Sequence, residues 1–281
     1  MNHCLVVLTD FSPAAARARA YAAALAAALN ADLHLVHIYL PPTTTTSIAH
    51  VMQATNARYV RETRQTLEKI AAELPVSATA ELIETDWDEA VQQVLNEHRP
   101  LLLVAGLTAT DGQLDEWFSN RTLPLTRQMG YPLLLVPADL PDSALGPPRR
   151  LALAVEDRPF KLAPNALAVA PLLGALGTEI TTVVVLESDD WSGGQAGLSA
   201  ARACGLAADM SHSRLHKVGG EQPAPGILNA VRGLSADVVA LLDRGHDWVD
   251  KIFIDSVTAQ ILRQTQTPVL LLAAHDTLPA E

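Results

Sequence analysis

The chain has 281 residues, 49% of them apolar, which is enough to bury a sizeable core and long enough for two ordinary domains. Its formal charge of -11 and pI near 5.2 provide no field that would draw in DNA, RNA or an anionic membrane surface. Two cysteines, Cys4 and Cys204, with no CxxC pair, offer neither a disulfide framework nor a thiolate zinc cluster, which fits a reducing cytoplasm.

The opening MNHCLVVLTD carries no cationic segment, and the Ala-rich AYAAALAAAL falls well short of the ~20 residues that span a bilayer, so neither a signal peptide nor a membrane helix is expected. CLVVLT is a short Val- and Leu-rich run that reads as a buried parallel strand. In the next segment, SPAAARARAYAAALAAALN, Ser12 is a good N-cap, Pro13 suits the first helical turn, and Asn30 is a natural stop. ADLHLVHIYL then reads as a second strand closed by Pro41 and Pro42, and an amphipathic helix is expected from about Ile48 to Leu74. VSATAELIE alternates like a strand, DWDEAVQQVLNEH reads as a helix begun by acids, and LLLVAG as another buried strand. A glycine-led, acidic loop follows, then a short helix toward Tyr131 and a last strand, PLLLVP. This alternation of strand and helix specifies a parallel sheet covered on both faces.

PADLPDSALGPPRR is rich in proline and has no periodicity, which marks residues 142–148 as a linker. After it the order begins again: LALAVE echoes LVVLTD, TEITTVVVLE echoes ADLHLVHIYL, ADVVALLD echoes PLLLVAG, and TPVLLLAA echoes YPLLLVPA. The second copy is about ten residues shorter midway, and the chain reads as an internal duplication.

The opening LVVLTDFS with its Ala-rich helix, ADLHLVHIY at the second strand, and the paired endings YPLLLVP and TPVLLLA resemble the universal stress protein family in its tandem form. The resemblance covers nearly the whole chain. It implies an α/β fold of two tandem doubly wound parallel-sheet domains, Rossmann-like and similar to the adenine nucleotide alpha hydrolases, at residues 1–141 and 149–281. It also implies a cytoplasmic stress-response protein acting as a binding or interaction module, with a protein partner and little or no catalysis. No catalytic residue is assigned. Because family homodimers pair through their final strands, LLLVP and VLLLAA are expected to bring the two copies together within one chain, with further self-association left open.

Nucleotide-binding members of the family hold ATP through an Asp after the first strand, a backbone group at the second strand, and a loop with GxxG and, further on, Gly followed by Ser or Thr. Glycines let amides approach the phosphates, and the helix that follows presents its N–H groups. Carried onto the first copy, the resemblance gives Asp10, Val36, Gly106, Ala109, Ser119 and Asn120 as the site for ATP, with Mg²⁺ able to offset the acids. Only Asp10 and Gly106 keep the family residue type among the patterned side chains. The loop GLTATDGQLDEWFSN also holds Asp111, Asp115 and Glu116, together with Trp117 and Phe118, which either pack back on the domain and plug the cleft or form a partner-facing patch.

In the second copy the pattern falls on Leu242, Gly245, Asp255 and Ser256, and Glu156 replaces the Asp. A carboxylate at 255 against a phosphate at ~4 Å costs about 1 kcal/mol in water and more where partly buried. The second site therefore reads as degenerate. Two alternatives stand beside the interaction module: an ATP-binding switch confined to the first copy, and a small-ligand carrier or enzyme using the same cleft.

Other patterns carry less. His212 and His216 share a strand face with Arg214 between them, and His34 and His37 point to opposite faces of theirs, so no metal site is expected. SGGQ at Ser192 to Gln195 resembles a pyrophosphatase glycine loop but follows the wrong strand, and reads as a flexible loop. Neither GxSxG nor GxxxxGK[ST] occurs.

Overall fold

Ser12 and Asn30 bound the first helix as their residue types dictate. Ser12 Oγ accepts the N–H of Ala15 at 3.1 Å, and Asn30 adopts the left-handed conformation with its N–H turned back to the last helical carbonyls. The computed structural model describes residues 3–41, 49–110, 113–114, 129–186, 192–208, 210–244 and 256–276.

The first half contains β1 (Cys4–Leu8), α1 (Pro13–Leu29), β2 (Asp32–Ile38), α2 (Ala49–Ala72), β3 (Ala78–Ile83), α3 (Trp87–His98) and β4 (Leu102–Leu107). The two-residue strands β5 (Ala109–Thr110) and β6 (Gln113–Leu114) follow, then β7 (Leu133–Pro137). Asp86 caps α3 by accepting the N–H of Glu89, with Asp88 and Glu89 adding negative charge to its first turn. The long strands lie parallel in the order β3, β2, β1, β4, β7.

The second half repeats that order outward from the centre with β8 (Arg150–Ala154), β10 (Glu179–Leu186), β11 (Arg214–Gly219), β12 (Val238–Asp243) and β13 (Val269–Asp276). Its helices are α4 (Ala170–Leu176), α5 (Gln195–Ala203), α6 (Pro223–Leu234) and α7 (Val257–Gln264). The fold is the α/β class that the strand and helix order specifies.

The halves differ after their first strands. Where α1 follows β1 within five residues, the chain after β8 makes β9 (Phe160–Leu162), pairs it antiparallel with the end of β13, and only then turns through a 3-10 segment, Pro164–Val169, into the short α4. The position corresponding to a long Ala-rich helix is thus built from a strand and two short turns of helix.

At the centre, β13 runs antiparallel to β7, with Val269 opposite Leu135, Leu270 opposite Leu134 and Leu271 opposite Leu133. All six side chains are buried. Leu134 and Leu270 belong to the core on one face, and Leu133, Leu135, Val269 and Leu271 to the core on the other. Both hydrophobic layers cross the seam, and with each fully buried aliphatic side chain contributing roughly 1.5–3 kcal/mol, the two halves share much of their stabilisation. The segment 142–148 includes a 3-10 turn, Asp142–Ala144, and Asp142 pairs with Arg17 of α1 at 2.6 Å.

Candidate functional site

In a doubly wound sheet the ligand cleft lies beyond the carboxyl ends of the strands, where loops leave the central pair in opposite directions. In the first half this end carries Thr9, Asp10 and Phe11 from β1, His37 and Tyr39 from β2, and Gly106 from β4. Asp10 Oδ1 accepts the N–H of Ser12 at 2.9 Å and so shapes the entry to α1. Thr9 is buried and central: its N–H donates to the Val36 carbonyl at 2.9 Å, its Oγ1 accepts from Arg19 Nη1 at 2.9 Å, and its carbonyl lies 2.7 Å from His37 Nδ1.

Val36, assigned to the site through its backbone, is in place at the end of β2, with its side chain in the core and its carbonyl engaged by Thr9. Around it stands an aromatic group that sequence reasoning did not assemble. The Phe11 ring lies 4.8 Å from that of His37, Tyr39 and Tyr59 rings lie 4.7 Å apart, and the Tyr59 hydroxyl is 3.5 Å from His37 Nε2. Tyr39 also donates to Asn56 Oδ1. Phe11 holds φ at 65°, a left-handed conformation that a bulky side chain seldom adopts, and its large ring is exposed at this end of the sheet. The signal for this group lay in DFS and HIY, but its third member, Tyr59, comes from α2 and no local pattern connects it.

Gly106 has a structural reason for being glycine. A Cβ there would stand 2.4 Å from the carbonyl carbon of Ala14 and 2.7 Å from its Cβ, so β4 and the first turn of α1 approach too closely for any side chain. Ala109 opens β5, opposite Leu114 of β6, and this small hairpin packs toward α7 of the other half. Ser119 and Asn120, with the acids of the loop, Trp117 and Phe118, lie outside the described residues.

The second half fills the same end of the sheet with its own charged groups. Asp157, just beyond β8, places its carboxylate on the N-terminus of α5: Gly194 N–H donates at 2.6 Å, Ala196 at 2.9 Å and Gly197 at 3.1 Å. Partial burial works to raise the Asp157 carboxyl, but these amides, with Lys217 nearby, bring it below the ordinary carboxylate value. SGGQ is therefore not a loose loop. Gly194, with φ at 92°, is the N-cap of α5, and its helix end receives a carboxylate where the electrostatics would equally suit a phosphate. Gly197 permits the approach, since a Cβ on it would lie 2.6 Å from the Glu156 carbonyl oxygen.

Beside it, Asp276 at the end of β13 accepts from Arg158 Nη1 at 2.9 Å and from Arg244 Nη1 at 2.6 Å. Arg158 also pairs with Glu156, and Arg244, its side chain only 7% exposed, lies over the Phe160 ring at 5.7 Å. Strand β9, which brings Phe160 here, carried no recognisable sequence signal beyond its alternation. Leu242 stands in the register of Gly106 and packs against the core; with β9 in place of a helix directly after the first strand, a side chain fits there. Ser256 keeps its hydroxyl but uses it to cap α7, accepting from Ala259 at 3.1 Å. Gly245 and Asp255 lie outside the described residues.

The histidines sort by element. His34 and His37 do lie on opposite faces of β2, His37 engaged at the cleft and His34 toward α3. His212 is not on β11 as its spacing suggested, but in the 3-10 turn Met210–His212 that precedes it, so it shares no strand face with His216. Among the described residues no helix is long and apolar enough to cross a membrane.

The comparisons agree with this architecture. The Universal stress protein family profile matches residues 1–137 and 165–273. A universal stress protein from Archaeoglobus fulgidus DSM 4304 superposes with a TM-score of 0.61 at 14% identity, over 96% of this chain and 98% of that one. A functionally unknown protein from Pseudomonas aeruginosa PAO1 gives 0.52 at 13% identity, over 97% and 92%. At such identity the likeness is one of fold. No curated protein matches the chain. With the family profile matched in both halves of a duplicated sheet, the chain belongs to the universal stress protein family.

Proposed function

We propose that this universal stress protein serves in the stress response as a binding and interaction module whose second domain has given up its nucleotide site, with domains at 1–141 and 149–281 joined by 142–148. The observation that carries the reading is the Asp157 carboxylate seated on Gly194, Ala196 and Gly197, beside the Arg158, Asp276 and Arg244 network. These groups neutralise one another at the carboxyl end of the second set of strands, so an incoming triphosphate would have to displace internal ion pairs and add negative charge beside Asp157. The module works in the cytoplasm with a protein partner, and its two domains behave as an internal pair.

A second reading, an adenine nucleotide held with Mg²⁺ in the first domain alone, is favoured by one specific arrangement. Asp10 immediately precedes Phe11, whose ring meets that of His37, and His37 in turn reaches Tyr59 beside Tyr39, an arrangement that offers a carboxylate for ribose hydroxyls and aromatic faces for a base. Titration calorimetry with ATP and Mg²⁺ separates the readings: no more than one ATP binds per chain, and any binding is abolished by Asp10→Ala. Two sites of similar affinity would sink the proposal for the second domain.

A further inference from the structure

Three side chains from separate elements of the first half converge on one point of the sheet face covered by α3: His34 from β2, Glu81 from β3 and His98 from the last turn of α3. We propose that they form a binding site for a divalent transition metal, Zn²⁺ by preference, with His34 Nε2, His98 Nε2 and Glu81 Oε1 as ligands and water in the fourth position.

The geometry fits. A tetrahedral zinc with bonds of ~2.0–2.1 Å sets its donor atoms about 3.3 Å apart. Here Nε2 of His34 lies 3.0 Å and Nε2 of His98 3.5 Å from the same Glu81 oxygen, and all three donors lie within 4.8 Å of one another. Each donor atom is buried and lacks a hydrogen-bond partner, although His34 itself is only 8% exposed. Both imidazoles approach the same Glu81 oxygen at ion-pair distance. Glu81 and His98 side chains are about a quarter exposed, which leaves an entry for the metal and its water.

Two electrostatic points favour a metal over a cluster held by protons alone. The rings of His34 and His98 lie 3.9 Å apart, tilted by 36°, so pairing both with Glu81 as imidazolium ions would press two positive rings together. Thr79 Oγ1 lies 2.5 Å from His34 Nδ1. With the Nδ1 proton donated to Thr79, the His34 Nε2 lone pair faces the carboxylate, and a cation between them removes the repulsion. This is the arrangement in which an outer partner fixes the tautomer of a metal-bound histidine. Two imidazoles and a carboxylate suit zinc and its later first-row neighbours rather than magnesium or calcium. The site lies between the amino half of β2, the middle of β3 and the last turn of α3, away from Asp10 and Gly106, and is independent of the function proposed above.

The test is zinc titration of the full chain after chelator treatment, by calorimetry or competition with a chromophoric chelator. One equivalent should bind, with affinity falling more than about a hundredfold in His34→Ala and in His98→Ala, and roughly tenfold in Thr79→Val. Because His98 is partly exposed at a helix end, His98→Ala is expected to fold. Cobalt bound to the unaltered chain should give the intense visible absorption of a tetrahedral site, lost in His98→Ala. Zinc binding no tighter than in the His34→Ala, His98→Ala double variant, or cobalt without that absorption, would mean an ion-pair cluster only and overturn the proposal.

Discussion

Gly106 lies so close to Ala14 that a single methyl on it would stand 2.4 Å from the Ala14 carbonyl carbon. The contact is backbone against backbone, between a strand end and the first turn of α1, so neither side can yield by rotating a side chain. Gly106→Ala should therefore destabilise the chain by about 1–3 kcal/mol, read as a lower denaturation midpoint with unchanged slope. An unaltered midpoint would show that the two elements separate easily.

Asp157 ties its stability contribution to pH. Its carboxyl is held below the ordinary value, so the contribution is fully present above the usual carboxylate range, about pH 4, and disappears as pH falls through the folded value. At neutral pH Asp157→Asn should cost about 0.3–1 kcal/mol, the scale of a carboxylate's charge at a helix N-terminus. Melting temperatures of the two proteins should converge on acidification. A gap that stays constant from neutral to acid pH would remove the charge from the explanation.

The seam makes a prediction about cooperativity. Leu134 and Leu270 oppose each other in the ladder and sit in one core with side chains of both halves. Leu270→Ala should cost about 2–5 kcal/mol and lower the unfolding of both halves together, as one calorimetric transition. Two separated transitions, with only the later residues affected, would show the halves to be energetically independent.

Both thiols should be inert in the folded chain. Burial, and then the nearby Asp32, push the Cys4 thiol up to about 11, and burial likewise raises Cys204 despite backbone contacts that oppose it. At neutral pH Cys4 then carries about a hundredfold less thiolate than an unperturbed thiol. A maleimide or disulfide reagent should modify the native protein far more slowly than the denatured one. Equal rates would contradict the burial.

How far the sequence disclosed this molecule depends on whether a feature is local. Ser12, Pro13, Asn30 and Asp86 each act within one helical turn, and the ends they predict are the ends observed. The buried runs CLVVL, LLLVAG, LLLVP and VLLLAA declare strands because uninterrupted aliphatic sequence of that length has a home in a sheet covered on both faces. Features joining distant residues were hidden. Asp157 and Gly194 are separated by an entire βα unit, so SGGQ gave no hint that its amides were already occupied. His34 was weighed against His37, its neighbour in sequence, whereas its neighbours in space are Glu81 and His98. The registry of His212 failed for a local reason, because a 3-10 turn, stabilised by Ser213 N–H to the Met210 carbonyl, delays the start of β11.

The antiparallel meeting of β7 and β13 also settles a question of valence. A strand has two sides, and β7 has given one to β4 and the other to β13, while β13 has given its own to β12 and β7. The strand edge that each half would otherwise leave open is paired within the chain itself. Duplication has in this sense capped the sheet from within: among the described residues, the long strands left with an open backbone edge are β3 and β11 at its two far ends, while the short β9 pairs with the end of β13.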